Sequence, residues 1–157
     1  MPYYLSGTSS GKTDGFRYPP KYTTEGLIIS TDLVVYLDAS NLNSYPTYGT
    51  VWTDLSGNNR NATLVNGPTF TSSDGGAIIL DGADDNISLG SYFNYTAFTI
   101  CMWARPGATQ VTYADIIDNN HSSVNFVVQQ NVSTTNQYGF FTTPVFNLTA
   151  NTWVFLT

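Results

Sequence analysis

Charge is what this chain has least of. Asp, Glu, Lys and Arg make up 10% of its 157 residues, against roughly a quarter in an average domain. Glutamate occurs once (Glu25), histidine once (His121) and cysteine once (Cys101). A single cysteine excludes an intrachain disulfide and a cysteine-based zinc site. It lies within the apolar run "FTICMWARP", where a buried, inert thiol is expected. No apolar run approaches the roughly 20 residues that span a bilayer, so membrane insertion is not expected. The opening "MPYYLSGTSSGK" lacks a basic stretch followed by an apolar one, and so does not read as a signal peptide.

What the chain has in place of charge is β-type composition. Hydrophobic residues are 41% and aromatics 15%, too apolar for a disordered chain and long enough for one core. Thr, Ser, Asn and Gly must then cover the surface, as in many-stranded β proteins with polar loops. The net charge of −6 is uneven: residues 27–157 carry two arginines against nine aspartates. An acidic body repels phosphate backbones, which excludes nucleic acid and leaves glycans, cations and other proteins.

Residues 1–26 stand apart. "SGTSSGKTDG" is flexible, and "FRYPPKY" is extended by its prolines. Tyr3, Tyr4, Phe16, Arg17, Tyr18, Lys21 and Tyr22 give this segment contacts that a solvated linker has little use for. It reads as an arm that docks on a partner, with a disordered leader as the alternative. From residue 27 onward short runs follow one another: "LIIS", "DLVVYLDA", "ATLV", "AIILDG", "NISLG", "FTICMWARP", "ADIID", "VNFVVQQ", "YGFFTTP" and "WVFLT". Their length and spacing predict an antiparallel sandwich or barrel, and no sustained 3.6-residue apolar stripe predicts a helix. The last run stops without a turn, which predicts further strands beyond Thr157 or strands supplied by another chain.

Four blocks, "LVVYLDASNLNSYP", "VWTDLSGNNRNATLVNGPTF", "GGAIILDGADDNISLG" and "FTICMWARP", together resemble successive landmarks of the laminin-G-like, concanavalin A-like lectin and glucanase superfamily. The nearest likeness is to the domains of marine bacteriophage and cyanophage tail-fibre and other virion proteins. The resemblance spans residues 27–157 and implies an all-β jelly-roll sandwich, often with calcium and a concave face open to sugars. A virion protein, released by lysis, would also reconcile a polar surface with the lack of an export signal. The hydrolases of this superfamily carry a Glu-x-Asp-x-x-Glu strand, and that motif is absent here. Glycoside hydrolysis needs two flanking carboxyl groups. Adjacent Asp84 and Asp85 are expected to diverge in a turn, and His121 falls in the predicted loop "DNNHSS" with no activated serine nearby. The expectation is a non-enzyme.

Three constellations remain. "TDLSGNNRNATL" reads as a long turn in which Asp54 and Ser56 bond their own backbone and Gly57 with the asparagines adopts left-handed conformations; a ligand role is the alternative. Asp81, Asp84, Asp85 and Asn86 supply hard oxygens for calcium, with a solvated hairpin as the alternative, and Asp115, Asp118 and Asn119 form a second, looser set. Trp52, Trp103, Tyr113, Tyr138 and Trp153 are candidate sugar platforms, although tryptophans on strands are commonly core residues. Asn119, Asn120, Gln130 and Tyr113 are the glycan-site residues expected from this reading. The functional expectation is a virion structural protein on the outer particle surface, arm-docked on other virion proteins, homo-oligomeric, and adhesive to host glycans. A purely architectural cement protein and the non-catalytic part of a secreted glycan-active enzyme are the alternatives.

Overall fold

The computed structural model describes residues 32–90, 95, 97–109, 111, 114–119, 127–130, 137–140 and 143–157. The arm residues Tyr3, Tyr4, Phe16, Arg17, Tyr18, Lys21 and Tyr22 lie outside them, as does "LIIS". The described residues are all-β: eleven strands, one short 3-10 turn at Ser73–Gly75, and no α-helix. The strands are β1 (Val51–Trp52), β2 (Ala62–Val65), β3 (Thr69–Thr71), β4 (Ala77–Ile79), β5 (Asn86–Ser88), β6 (Met102–Ala104), β7 (Asp115–Asp118), β8 (Val127–Gln130), β9 (Gln137–Phe140), β10 (Thr143–Asn147) and β11 (Val154–Leu156).

They form four antiparallel sheets, ordered β1-β2-β5, β3-β4, β6-β11 and β10-β9-β8-β7. Between β6 and its partner β11 the chain makes the whole four-stranded meander and then returns. The meander's edge strand β10 carries Pro144 at a register shift between Pro144 and Phe146. An edge or a bulge is where a residue without an N–H is tolerated in a sheet.

"ATLV" becomes β2 with alternating burial: Ala62 and Leu64 are inside and Thr63 is outside. Leu64 meets Ile87 of β5 across the ladder. Tyr45 is buried against Trp52 and Phe70, with ring centroids 6.4 and 5.9 Å away. In the meander Tyr138, 1% exposed, stacks on Phe146 at 6.1 Å, so this candidate sugar platform is a core residue.

Two expectations are corrected. "DLVVYLDA" makes no ladder strand: residues 33–38 are half-buried but outside every sheet. Their backbone groups are taken by side chains instead, as described below. Cys101 is exposed, not buried. The run 100–104 does alternate, with Ile100, Met102 and Ala104 half-buried and Cys101 and Trp103 outward. Both faces of the run are apolar, so composition did not distinguish inside from outside.

Candidate functional site

The β1–β2 connection, residues 53–61, closes the antiparallel pair Trp52↔Ala62. Its centre is Asp54, 7% exposed. Oδ1 accepts the backbone N–H of Tyr36 and of Ser56, both at 2.8 Å. Oδ2 accepts the Ser56 hydroxyl at 2.7 Å and the Arg60 N–H at 3.0 Å. Burial pushes this carboxyl up, but the bonds from Tyr36, Ser56 and Arg60 outweigh it and hold the group below its usual range. Asn58 extends the clasp, its amide donating to the carbonyls of Leu33 at 2.8 Å and Val34 at 3.2 Å, while Leu55 N–H bonds the Tyr36 carbonyl at 2.8 Å. Gly57 and Asn59 take the left-handed conformations the turn requires, at φ 89° and 57°. Both carboxylate oxygens of Asp54 are therefore committed to protein N–H and O–H groups, and the turn is architecture.

Beside it, Ser44 is fully buried and doubly bonded: its hydroxyl donates to Thr53 O at 2.6 Å and accepts from Asp38 N at 3.1 Å. Trp52 is turned inward, its Nε1 buried with no acceptor among the described residues. It is packing material, not a sugar platform.

The second site is the connection from β4 to β5. The sequence reading allowed a solvated hairpin here, but β4 pairs with β3 and β5 pairs with β2, so residues 80–85 cross between sheets. The crossing gathers Asp81, Asp84 and Asp85, with one carboxylate oxygen from each lying within 4.8 Å of the others. Oxygens bound to one calcium at about 2.4 Å can be at most about 4.8 Å apart, so the spacing fits one ion. Asp81 Oδ1 accepts the Ala83 N–H at 2.8 Å and Asp85 Oδ2 accepts the Asp81 N–H at 2.9 Å. These bonds fold the turn so that the Asp84 and Asp85 carboxylates converge with that of Asp81, instead of diverging as their adjacency suggested. The Ala83 N–H, joined by those of Asp84 and Asp85, holds the Asp81 carboxyl below its usual range despite some desolvation, so it stays anionic. Asn66 fixes the far side through its amide to Asp84 O at 2.8 Å. Asn86 opens β5 opposite Val65, with an exposed side chain next to the cluster.

The looser acidic set behaves differently. Asp115 faces Gln129 across the β7–β8 ladder and accepts its amide at 2.9 Å. Burial, followed by the nearby Asp118 charge, raises its carboxyl against that bond. Asn119 follows β7 directly and is half-buried. Of the expected glycan residues, Tyr113 and Asn120 lie outside the described residues, as does His121, and Gln130 ends β8 opposite Tyr138.

One group escaped the sequence reading. Asp74, in the turn before β4, accepts both the Arg105 guanidinium and the Trp153 indole N–H on Oδ2, each at 3.0 Å. Arg105 also lies over the Trp153 ring, 5.4 Å from its centroid. The available signal was a pairing of "CMWAR" with "WVFLT", which alternation suggests but sequence separation conceals. No protein-family model matches this chain, and no curated protein or solved structure is significantly similar to it.

Proposed function

We propose that this protein is a non-enzymatic structural component of a bacteriophage virion, a fibre or capsid-decoration protein on the outer surface of the particle. Residues 1–26 dock on other virion proteins. Residues 27–157 are displayed as a jelly-roll sandwich of the concanavalin A-like kind, as a homo-oligomer, and touch host-surface glycans. One observation carries the reading: blocks of the resemblance that are separate in sequence are bonded together in space. Asp54 and Asn58 of "TDLSGNN" bind the backbone of "LVVY", and "ATLV" pairs with "NISL". Calcium is the ion suited to the Asp81, Asp84 and Asp85 turn, because three carboxylates at one-ion spacing repel one another unless a cation offsets them.

Two experiments test the reading. Deleting residues 1–24 leaves the sandwich folded by circular dichroism and abolishes its incorporation into particles, measured by mass spectrometry of purified virions; retained incorporation defeats the docking role. Glycan-array binding of the chain, with and without chelator, tests adhesion. A flat array removes adhesion and leaves an architectural protein.

A further inference from the structure

Resting on the glycan-adhesion reading, we infer that the carbohydrate contact is the outer face of the β6–β11 ribbon, and that its ligand is a neutral polysaccharide chain. The ladder pairs Phe155 with Trp103 and Val154 with Ala104; one step further, the same register sets Trp153 opposite Arg105. Residues 103, 105, 153 and 155 therefore share one face, while Met102, Ala104, Val154 and Leu156 point the other way, half-buried. On the outer face Phe155 is 52% and Trp103 36% exposed, their rings 5.2 Å apart. Successive rows on a strand face are about 6.6 Å apart, and in the next row the half-buried Trp153 ring lies under the Arg105 guanidinium. The Trp103–Phe155 platform therefore runs on along the strands into Arg105 and Asp74, a shape for a chain more than for a single sugar.

Asp74 and Arg105 close one end of the strip. Asp74 uses Oδ2 for both Arg105 and Trp153, and among the described residues its Oδ1 takes no bond. Arg105 likewise keeps guanidinium N–H groups beyond its single bond to Asp74. A fixed acceptor and fixed donors beside aromatic rings suit a pyranose, whose C–H faces stack on rings while its hydroxyls both donate and accept. Nucleobases also stack on such rings. Here, though, the cation is already paired with Asp74, and residues 27–157 carry nine aspartates against two arginines. That balance disfavours a polyanion and favours an uncharged chain.

The test is electrophoresis of the full chain in native gels cast with a neutral β-glucan, a mannan or a galactan, and with a sulfated galactan as the anionic counterpart. The expected result is retardation in at least one neutral gel. Phe155→Thr, which keeps a strand-forming residue, weakens it at least tenfold, and Asp74→Asn about threefold to tenfold. Val51→Thr, a change at an exposed position on β1, leaves it intact, with circular dichroism unchanged throughout. Retardation that both face variants retain overturns this surface while adhesion stands, and retardation only by the sulfated gel overturns the ligand class. No retardation in any gel, together with a flat array, overturns both the surface and adhesion. A sedimenting dimer that Phe155→Thr dissociates assigns the face to a second copy and also overturns the inference.

Discussion

The described residues of 32–90 and of 98–157 are both all-β, yet they are held together in different ways. In the first region the loops do the joining. Asp38, Ser44, Asp54, Ser56, Asn58 and Asn61 all direct side chains at backbone groups, and Asp54 and Ser44 are buried for that purpose. In the second region, among the described residues, backbone ladders and ring contacts dominate, and the sheet face of β6–β11 is open to water. A chain with little charge can therefore spend its few aspartates in two ways: as buried acceptors that replace a strand partner, or as exposed groups at a surface. A buried acceptor cannot be removed without stranding its donors, whereas water can replace an exposed one.

The largest effect expected from this contrast is at Asp54. Asp54→Ala strands the N–H groups of Tyr36, Ser56 and Arg60 and removes a charge-assisted set of bonds, a loss of about 3–5 kcal/mol in urea unfolding. Because the folded carboxyl sits below its ordinary value, its contribution is present above the unfolded pKa and lost as pH falls below it. The stability gap between the native chain and Asp54→Asn should thus narrow from pH 6 to pH 3. A gap that does not change with pH would mean the charge is not what binds the turn. Next comes Gly76, at φ 123°, where an added Cβ would meet Ala39 O at 2.9 Å and Ser40 Cα at 3.0 Å. Both are backbone atoms that cannot rotate away, so Gly76→Ala costs about 2–3 kcal/mol. The same substitution at Gly57, where a Cβ meets nothing within 4 Å, costs only its φ strain, about 1 kcal/mol. Equal losses at the two glycines would remove the close approach as a cause.

What could be read in the sequence divides along the same line. Elements whose pattern is local were legible: "ATLV", "AIIL", "NISL", "CMWA" and "VFL" supply β2, β4, β5, β6 and β11, and the Asp-x-Ser-Gly chemistry of the 53–61 turn marked Asp54 and Ser56 as bonding residues, though not Asn58 or Asn61. Features decided by distant partners were not. "DLVVYLDA" carries a strand's composition, but whether its N–H groups meet a ladder or the Asp54 carboxylate depends on a turn 18 residues away. Cys101 was misplaced because a run apolar on both faces does not reveal which face a second layer covers. The Asp74–Arg105–Trp153 group links positions 31 and 79 residues apart, beyond the reach of any periodicity.

The aspartate crossing between β4 and β5 belongs to the first region but is exposed, so it tests whether exposure or location governs the effect. A calcium site with a dissociation constant of about 1 mM, typical of extracellular modules, would stabilise the chain by about 1.4 kcal/mol in 10 mM calcium. Asp84→Asn should abolish that gain. Equal stabilisation by magnesium, or the same gain in Asp84→Asn, would point to general screening of an acidic body and not to the three-carboxylate turn.

The smallest effect is expected at Asp115, and it has the opposite sign. Burial and the Asp118 charge raise its folded pKa, so its contribution is most favourable when protonated. That contribution is present below the unfolded value and lost as pH rises through the folded one. At neutral pH the ionised group therefore works against folding. Asp115→Asn keeps an oxygen to accept the Gln129 amide while removing the desolvated charge and its repulsion from Asp118. Since the residue is exposed overall, solvent screens most of the effect, and the gain is about 0.5 kcal/mol or less at pH 7, vanishing near pH 3. Comparing urea midpoints of the two chains at both values measures it. A loss at pH 7 would show that the Asp115–Gln129 bond needs the full carboxylate. The β7–β8 ladder would then depend on a side-chain acceptor as the Asp54 turn does, and the two regions would be held by one mechanism.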